Sequence, residues 1–228
     1  MEPRDPGVGV LKALAGQVPW IGSVLTGLFD ARQAQLYEER LTSFLEDLRA
    51  EASGVLREAY DESYLASQDF LHLCILAVEH ARKTRQQTKR HLYARALVNA
   101  GNRAWARQCD LAEELINTLA ELSPIEVSIL QAAWEYSQAN PASGDQLQPL
   151  SGAVTANDIQ VRLVGLDLSA AEVQAYLSKL QRLGLTQLII GLATGAEPQN
   201  FRMTPLFDRL MHLITLPPLW ATRNQVGG

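Results

Sequence analysis

Residues 168–190 read LSAAEVQAYLSKLQRLGLTQLII. The segment SAAE (Ser169 to Glu172) has the pattern of a capping box, in which a side chain at each end satisfies an orphan backbone N–H of the first helical turn. Val173, Leu177, Leu180 and Leu183 follow at steps of four and three, which places one apolar stripe along a helix. Gly184 closes that helix. The continuation LTQLIIGL is apolar and β-branched enough for a strand, ATGAEPQ is a turn region, and NFRMT is the returning strand. A helix running straight into a hairpin is the expectation around which the rest of the chain is arranged.

Upstream, SPIE (Ser123 to Glu126) places a cap, a proline at the first helical position and a glutamate at the third. The helix it opens carries Val127, Leu130 and Trp134. QANPASGDQLQPLSG is a loop by composition. TAND (Thr155 to Asp158) opens a short helix through Ile159 and Leu163. Downstream, Thr204 and Pro205 cap a last helix through Leu210 and Ile214, and Pro217, Pro218 and NQVGG form a loose tail. This order of three helices, a two-stranded hairpin and a helix resembles the winged-helix superfamily over residues 122–215. The resemblance is carried by LSAAEVQAYLSKLQRLGLTQLII and FRMTPLFDRLMHLI. It implies a recognition helix at 169–183, a two-stranded β wing at 185–204, and a role in either DNA reading or protein docking.

A helix that reads the major groove needs Arg, Lys, Asn or Gln at base edges and basic neighbours for phosphates. Gln174, Lys179 and Arg182 on the helix and Arg202 in the wing are the DNA-facing candidates, offset by Glu172 and Glu197. Residues 122–228 hold six Lys and Arg against eight Asp and Glu, a net of −2. That is not the basic footprint of a DNA binder. A docking or control module is therefore the expectation, with a DNA-binding regulator as the alternative.

The first half of the chain reads as helices. From Asp30, Leu41, Leu45, Leu48, Ala52, Val55 and Ala59 form one stripe until Asp61 breaks the pattern. A second helix over about 63–83 carries Leu65, Phe70, Leu73, Leu76 and Ala77. TRQQ (Thr84 to Gln87) has the pattern of a further capping box, either restarting a helix or lying within a longer one. The third helix ends near Ala100, where Gly101 suits a left-handed residue. A fourth starts after Asn102 with Trp105, Cys109, Ala112, Ile116 and Leu119. Short connections between four helices favour an antiparallel bundle. The expected fold is thus mainly α, with residues 30–121 as a bundle, 122–215 as the winged helix and 216–228 as a tail.

Two features point to a partner. Between Arg82 and Arg107 lie Arg82, Lys83, Arg85, Lys89, Arg90, Arg95, Arg103 and Arg107 with no acid, in a chain of net charge −5. Eight cations in one window suit phosphate, on lipid headgroups or nucleic acid. The competing reading is a solvated face balanced by Glu38, Glu39, Glu46, Asp47 and Glu51 of a neighbouring helix. The second feature is the apolar segment 7–29, divided by Pro19 into two arms, with Leu11, Leu14, Trp20, Ile21, Leu25 and Phe29 as the candidate membrane- or partner-binding side chains. Each arm is too short to span a bilayer. The segment either tucks into the bundle, touches lipid, or forms a helix for self-association or a partner's groove. An apolar glycine-rich segment ahead of a bundle is similar in layout, over residues 1–121, to membrane-perturbing domains of cell-death and abortive-infection proteins.

Composition is that of an ordinary globular chain of 228 residues, 47% hydrophobic and 20% charged. MEPRDP at the front lacks the basic n-region of a signal peptide, and Cys74 and Cys109 form no CxxC, so a cytoplasmic protein, peripheral at the membrane if the arm engages lipid, is expected. His72, His80, His91 and His212 form no metal-ligand pattern, and no phosphate-loop or nucleophile motif occurs. No catalytic residue, metal or cofactor is expected. The expected partners are a protein or a second copy, then an anionic membrane surface, then duplex DNA.

Overall fold

The computed structural model describes residues 34–53, 60–140, 153–163, 165–189 and 200–214. These are mainly helical with a small three-stranded antiparallel sheet. The described residues divide into two compact units, one formed by those up to Ala120 with Leu213 and Ile214, the other by those between Glu121 and His212.

In the first unit, α1 (Ala34–Ser53) buries Leu41, Phe44, Leu45 and Leu48. Val55 and Ala59, expected on the same stripe, lie outside the described residues. The expected second helix is interrupted. Asp61 caps a short α2 (Glu62–Leu65), accepting from the Ser63 and Tyr64 amides, and Ser67 then caps α3 (Gln68–Lys83). Two local caps in quick succession outcompete one continuous helix because each satisfies its own amides.

The boundary at 84–87 differs from the capping box expected there. Thr84 ends α3, and α4 (Gln87–Ala100) starts behind Gln86 without a side-chain cap. Arg90 decides this linker, since its Nη1 donates to the carbonyls of Thr84 at 3.2 Å and Arg85 at 3.0 Å. Gly101 is also not left-handed, with φ of −69°. It is small for a different reason: a Cβ there would stand 3.0 Å from Leu65 Cδ2 and 3.2 Å from the Tyr60 ring. The next helix begins later than expected. Residues 102–107 form turns held by Trp105 N–H to Asn102 O and Gln108 N–H to Trp105 O, and α5 runs over Cys109–Glu121.

Cross-contacts tie these helices together. Arg40 near the start of α1 donates to the carbonyl of Arg82 near the end of α3. His80 of α3 stacks on Tyr93 of α4, with ring centroids 5.6 Å apart. Lys89 near the start of α4 donates to Ala120 O near the end of α5 at 2.7 Å. These contacts join α1 to the end of α3, and the start of α4 to the end of α5. Phe70, Leu73, Ala77, Leu92, Tyr93, Leu97, Leu115, Ile116 and Leu119 supply buried apolar surface, the main stabilising term.

The second unit follows its punctuation closely. α6 (Pro124–Ala139), α7 (Ala156–Gln160) and α8 (Ala170–Arg182) all begin with complete capping boxes at Ser123, Thr155 and Ser169. Gly184 closes α8 with φ of +72°. β2 (Thr186–Ile189) and β3 (Asn200–Met203) form the expected hairpin, and Thr204 Oγ1 accepts from the Phe207 amide at the start of α9 (Pro205–Ile214). The sheet nevertheless has three strands rather than two. β1 (Ala153–Thr155) pairs with β3, giving the order β1-β3-β2 with Phe201 opposite both Val154 and Leu188. Three residues are too few to show an alternating pattern, so pairing with β3 alone makes β1 a strand.

Candidate functional site

In the second unit the outer face of α8 carries Gln174, Ser178, Gln181 and Arg182 at steps of four, three and one. Ser178 turns its hydroxyl onto the Gln174 carbonyl at 3.0 Å. Gln181 and Arg182 are exposed and Gln174 is half-buried. Arg202 is exposed on β3, level with Gln187 of β2 and Ala153 of β1.

Lys179 differs from these. Its Nζ lies 2.6 Å from Oε1 of Glu126 on α6, whose side chain has 0% exposure against 44% for the lysine. The other carboxylate oxygen of Glu126 accepts from the Ser123 amide at 2.7 Å. Burial opposes ionisation of Glu126, but the Lys179 ammonium and the Ser123 hydrogen bonds outweigh it and hold the carboxyl below its ordinary range. One residue thus completes a helix cap and anchors α8 to α6. The capping role is legible in SPIE. The pairing with a residue 53 positions later has no local signal.

The anchored lysine changes the electrostatics of the helix. With Lys179 neutralised, Arg182 is the exposed cation of α8, and exposed Glu172 offsets it from the first turn. Over Glu121–His212 there are five Lys and Arg against nine Asp and Glu, a net of −4.

In the first unit the eight cations of the basic window are not brought onto one surface. Lys89 and Arg90 are buried and hold the carbonyls of Ala120, Thr84 and Arg85. Arg95 Nη2 donates to Glu51 Oε1 at 2.8 Å. Arg103 Nε donates to the carbonyl of Tyr60 at 3.0 Å. Arg82 is half-buried, Lys83 lies 3.6 Å from Glu79, and Arg85 and Arg107 are exposed. Because α4 separates them, Lys83 and Arg85 stand at one end of that helix and Arg103 and Arg107 follow the other, about 21 Å away for 14 residues.

Of the acids expected to balance this window, Asp47 and Glu51 reach it. His91 joins them, with Nδ1 3.5 Å from Asp47 and Nε2 3.0 Å from Glu51. Glu39 and Glu46 are exposed, and the side chain of Glu38 lies outside the described residues. The apolar arm with Leu11, Leu14, Trp20, Ile21, Leu25 and Phe29 also lies outside them.

Burial pushes the Cys74 thiol up to about 12, and burial raises Cys109 as well, against an opposing hydrogen bond with Tyr64. Neither has the lowered value of an activated nucleophile. Among the described residues no group of three His, Cys, Asp or Glu is placed to hold a metal ion, and no helix is long and apolar enough to cross a membrane. No protein-family model, curated protein or solved structure matches this chain.

Proposed function

We propose that this chain is a non-enzymatic interaction or effector protein, built from a helical bundle and a winged-helix module that docks protein. The winged-helix reading is supported by three capped helices ahead of the β2–β3 hairpin and by α8 running directly into it. The observation that carries docking over DNA reading is the Glu126–Lys179 pair. It removes a cation from the helix that would enter a groove, in a unit whose charge is already negative. In this proposal the apolar arm and the exposed cations Lys83, Arg85 and Arg107 engage an anionic membrane or a partner at the cytoplasmic face.

Co-flotation of the full chain with anionic and neutral liposomes tests the membrane half. The expected result is flotation with anionic vesicles, lost when Leu11, Leu14 and Leu25 are replaced by Asp and weakened by K83E/R85E. No flotation under any condition removes the membrane role and leaves a protein partner. Binding to random duplex DNA tests the alternative. Tight binding at low salt that weakens steeply as salt rises and disappears in R182E/R202E restores the regulator.

A further inference from the structure

We propose that the corner between α3 and α4 is a binding site for a terminal phosphate group. α4 starts behind Gln86 with no side-chain cap, and Gln86, Gln87 and Thr88 are all exposed. Among the described residues, the amides of Gln87 and Thr88 have no hydrogen-bond partner, and neither does the Thr88 hydroxyl. An open helix N-terminus favours an anion but does not by itself make a site.

Arg90 supplies the second element. It is 9% exposed, and its side chain leans back along α4 towards the first turn. There Nη1 donates to the carbonyls of Thr84 at 3.2 Å and Arg85 at 3.0 Å. Those two bonds fix where the guanidinium points and leave its charge uncompensated. Nε is enclosed without an acceptor, no hydrogen bond engages Nη2, and no carboxylate of the described residues pairs with the group. A cation taken out of water is costly unless an opposite charge faces it. Arg85, exposed on the linker, also has no acid partner among the described residues. Lys83 stands at the end of α3 with Glu79 3.6 Å away, in an exposed pair that water screens.

The chemistry that fits this corner is an anion with several acceptor oxygens and more than one charge. A phosphomonoester has three terminal oxygens and a charge of about −1.5 to −2 at neutral pH, whereas a carboxylate has two oxygens and one charge. Its oxygens take the Gln87 and Thr88 amides and the Thr88 hydroxyl, Arg85 closes from the linker, and Arg90 supplies positive potential from the buried side. The inference rests on the reading of Lys83 and Arg85 as cations that meet an anion, and it narrows that anion to a terminal phosphate, on a lipid headgroup or a soluble molecule. Arg107, beyond the other end of α4, takes no part.

Titration of the full chain with potassium phosphate at pH about 7.5, where the phosphate is mainly dianionic, reads the site through the Gln87 and Thr88 amide resonances. Saturable shifts are expected with phosphate and none with potassium chloride at equal ionic strength. R85Q weakens the affinity about three- to tenfold, as suits the loss of one charge-assisted hydrogen bond at the surface. R107Q leaves it unchanged. Q86D tests the site without risk to the fold, because an aspartate there caps the same amides from within the chain. It is expected to raise the melting temperature and abolish phosphate binding. Flotation then separates the sources, with vesicles of phosphatidic acid, whose phosphate is terminal, against phosphatidylglycerol at matched surface charge. A preference for phosphatidic acid that disappears in Q86D assigns the lipid headgroup. Saturable phosphate binding without that preference assigns a soluble phosphomonoester and removes only the membrane reading of this corner. Shifts that do not saturate, equal shifts with chloride, or undiminished phosphate binding in Q86D each overturn the site, whatever the vesicles show.

Discussion

Lys179 Nζ lies 2.6 Å from Oε1 of Glu126, and the glutamate side chain has no exposure to solvent while the lysine is 44% exposed. This asymmetry makes the two positions unequal. K179A leaves a buried carboxylate without its cation, at a cost of about 2 kcal/mol, towards the low end because water can enter where the lysine stem was. E126Q keeps the capping geometry and removes the buried charge, so it costs less. Denaturant unfolding of the two variants, compared at constant slope, checks the order.

The same pair predicts a pH dependence. The Glu126 carboxyl is held below its ordinary range, so its contribution is fully present above that range, near 4.3. It is lost as pH falls through the lower folded value. Acid unfolding of wild type is expected to be steeper than that of E126Q between pH about 5 and about 3. Identical acid limbs would exclude Glu126 from the response.

Gly101 and Gly184 are both intolerant of a side chain, for different reasons. In G101A the new Cβ meets Leu65 Cδ2 at 3.0 Å and the Tyr60 ring at 3.2 Å, and overpacking of this kind costs about 1–3 kcal/mol. In G184A the space is adequate, with Leu206 at 3.5 Å, but φ of +72° costs about 1–2 kcal/mol. Thermal unfolding of G184N separates the causes, since asparagine tolerates the left-handed region and recovers part of the loss. G101N does not recover.

The cations of the basic window differ in kind. Lys89 satisfies the Ala120 carbonyl at the end of α5, and K89M is expected to cost about 1 kcal/mol. Arg85 is exposed, and R85A stays within about 0.5 kcal/mol of wild type. Equilibrium unfolding of the two variants distinguishes a cation that holds the fold from one available to a partner.

The thiols offer a probe of opening. Cys74 is buried on α3, with its thiol pushed up to about 12, while Cys109 is half-buried at the start of α5. A thiol reagent is expected to label Cys109 of the native protein first and Cys74 only at the rate of unfolding. Equal rates would show that α3 opens on its own.

What the sequence alone determined was local. Ser123, Thr155 and Ser169 each lie three residues before an acid, and a capping box needs nothing beyond those residues, so all three helix starts were legible. Gly184 and the hairpin after it were legible for the same reason. The TRQQ pattern failed because Arg90 ties down the carbonyls of Thr84 and Arg85. β1 exists only because β3 offers a partner, which no property of Ala153, Val154 and Thr155 announces. The basic window was legible as composition but not as a surface. Helix α4 turns Lys89 and Arg90 inward and separates Lys83 and Arg85 from Arg103 and Arg107, and whether a side chain meets solvent, a carbonyl or a carboxylate depends on which helix packs beside it. Short-range hydrogen bonding can be read along the chain, whereas the pairings Glu126–Lys179 and Asp47–His91–Glu51 required residues distant in sequence to be brought together by apolar burial.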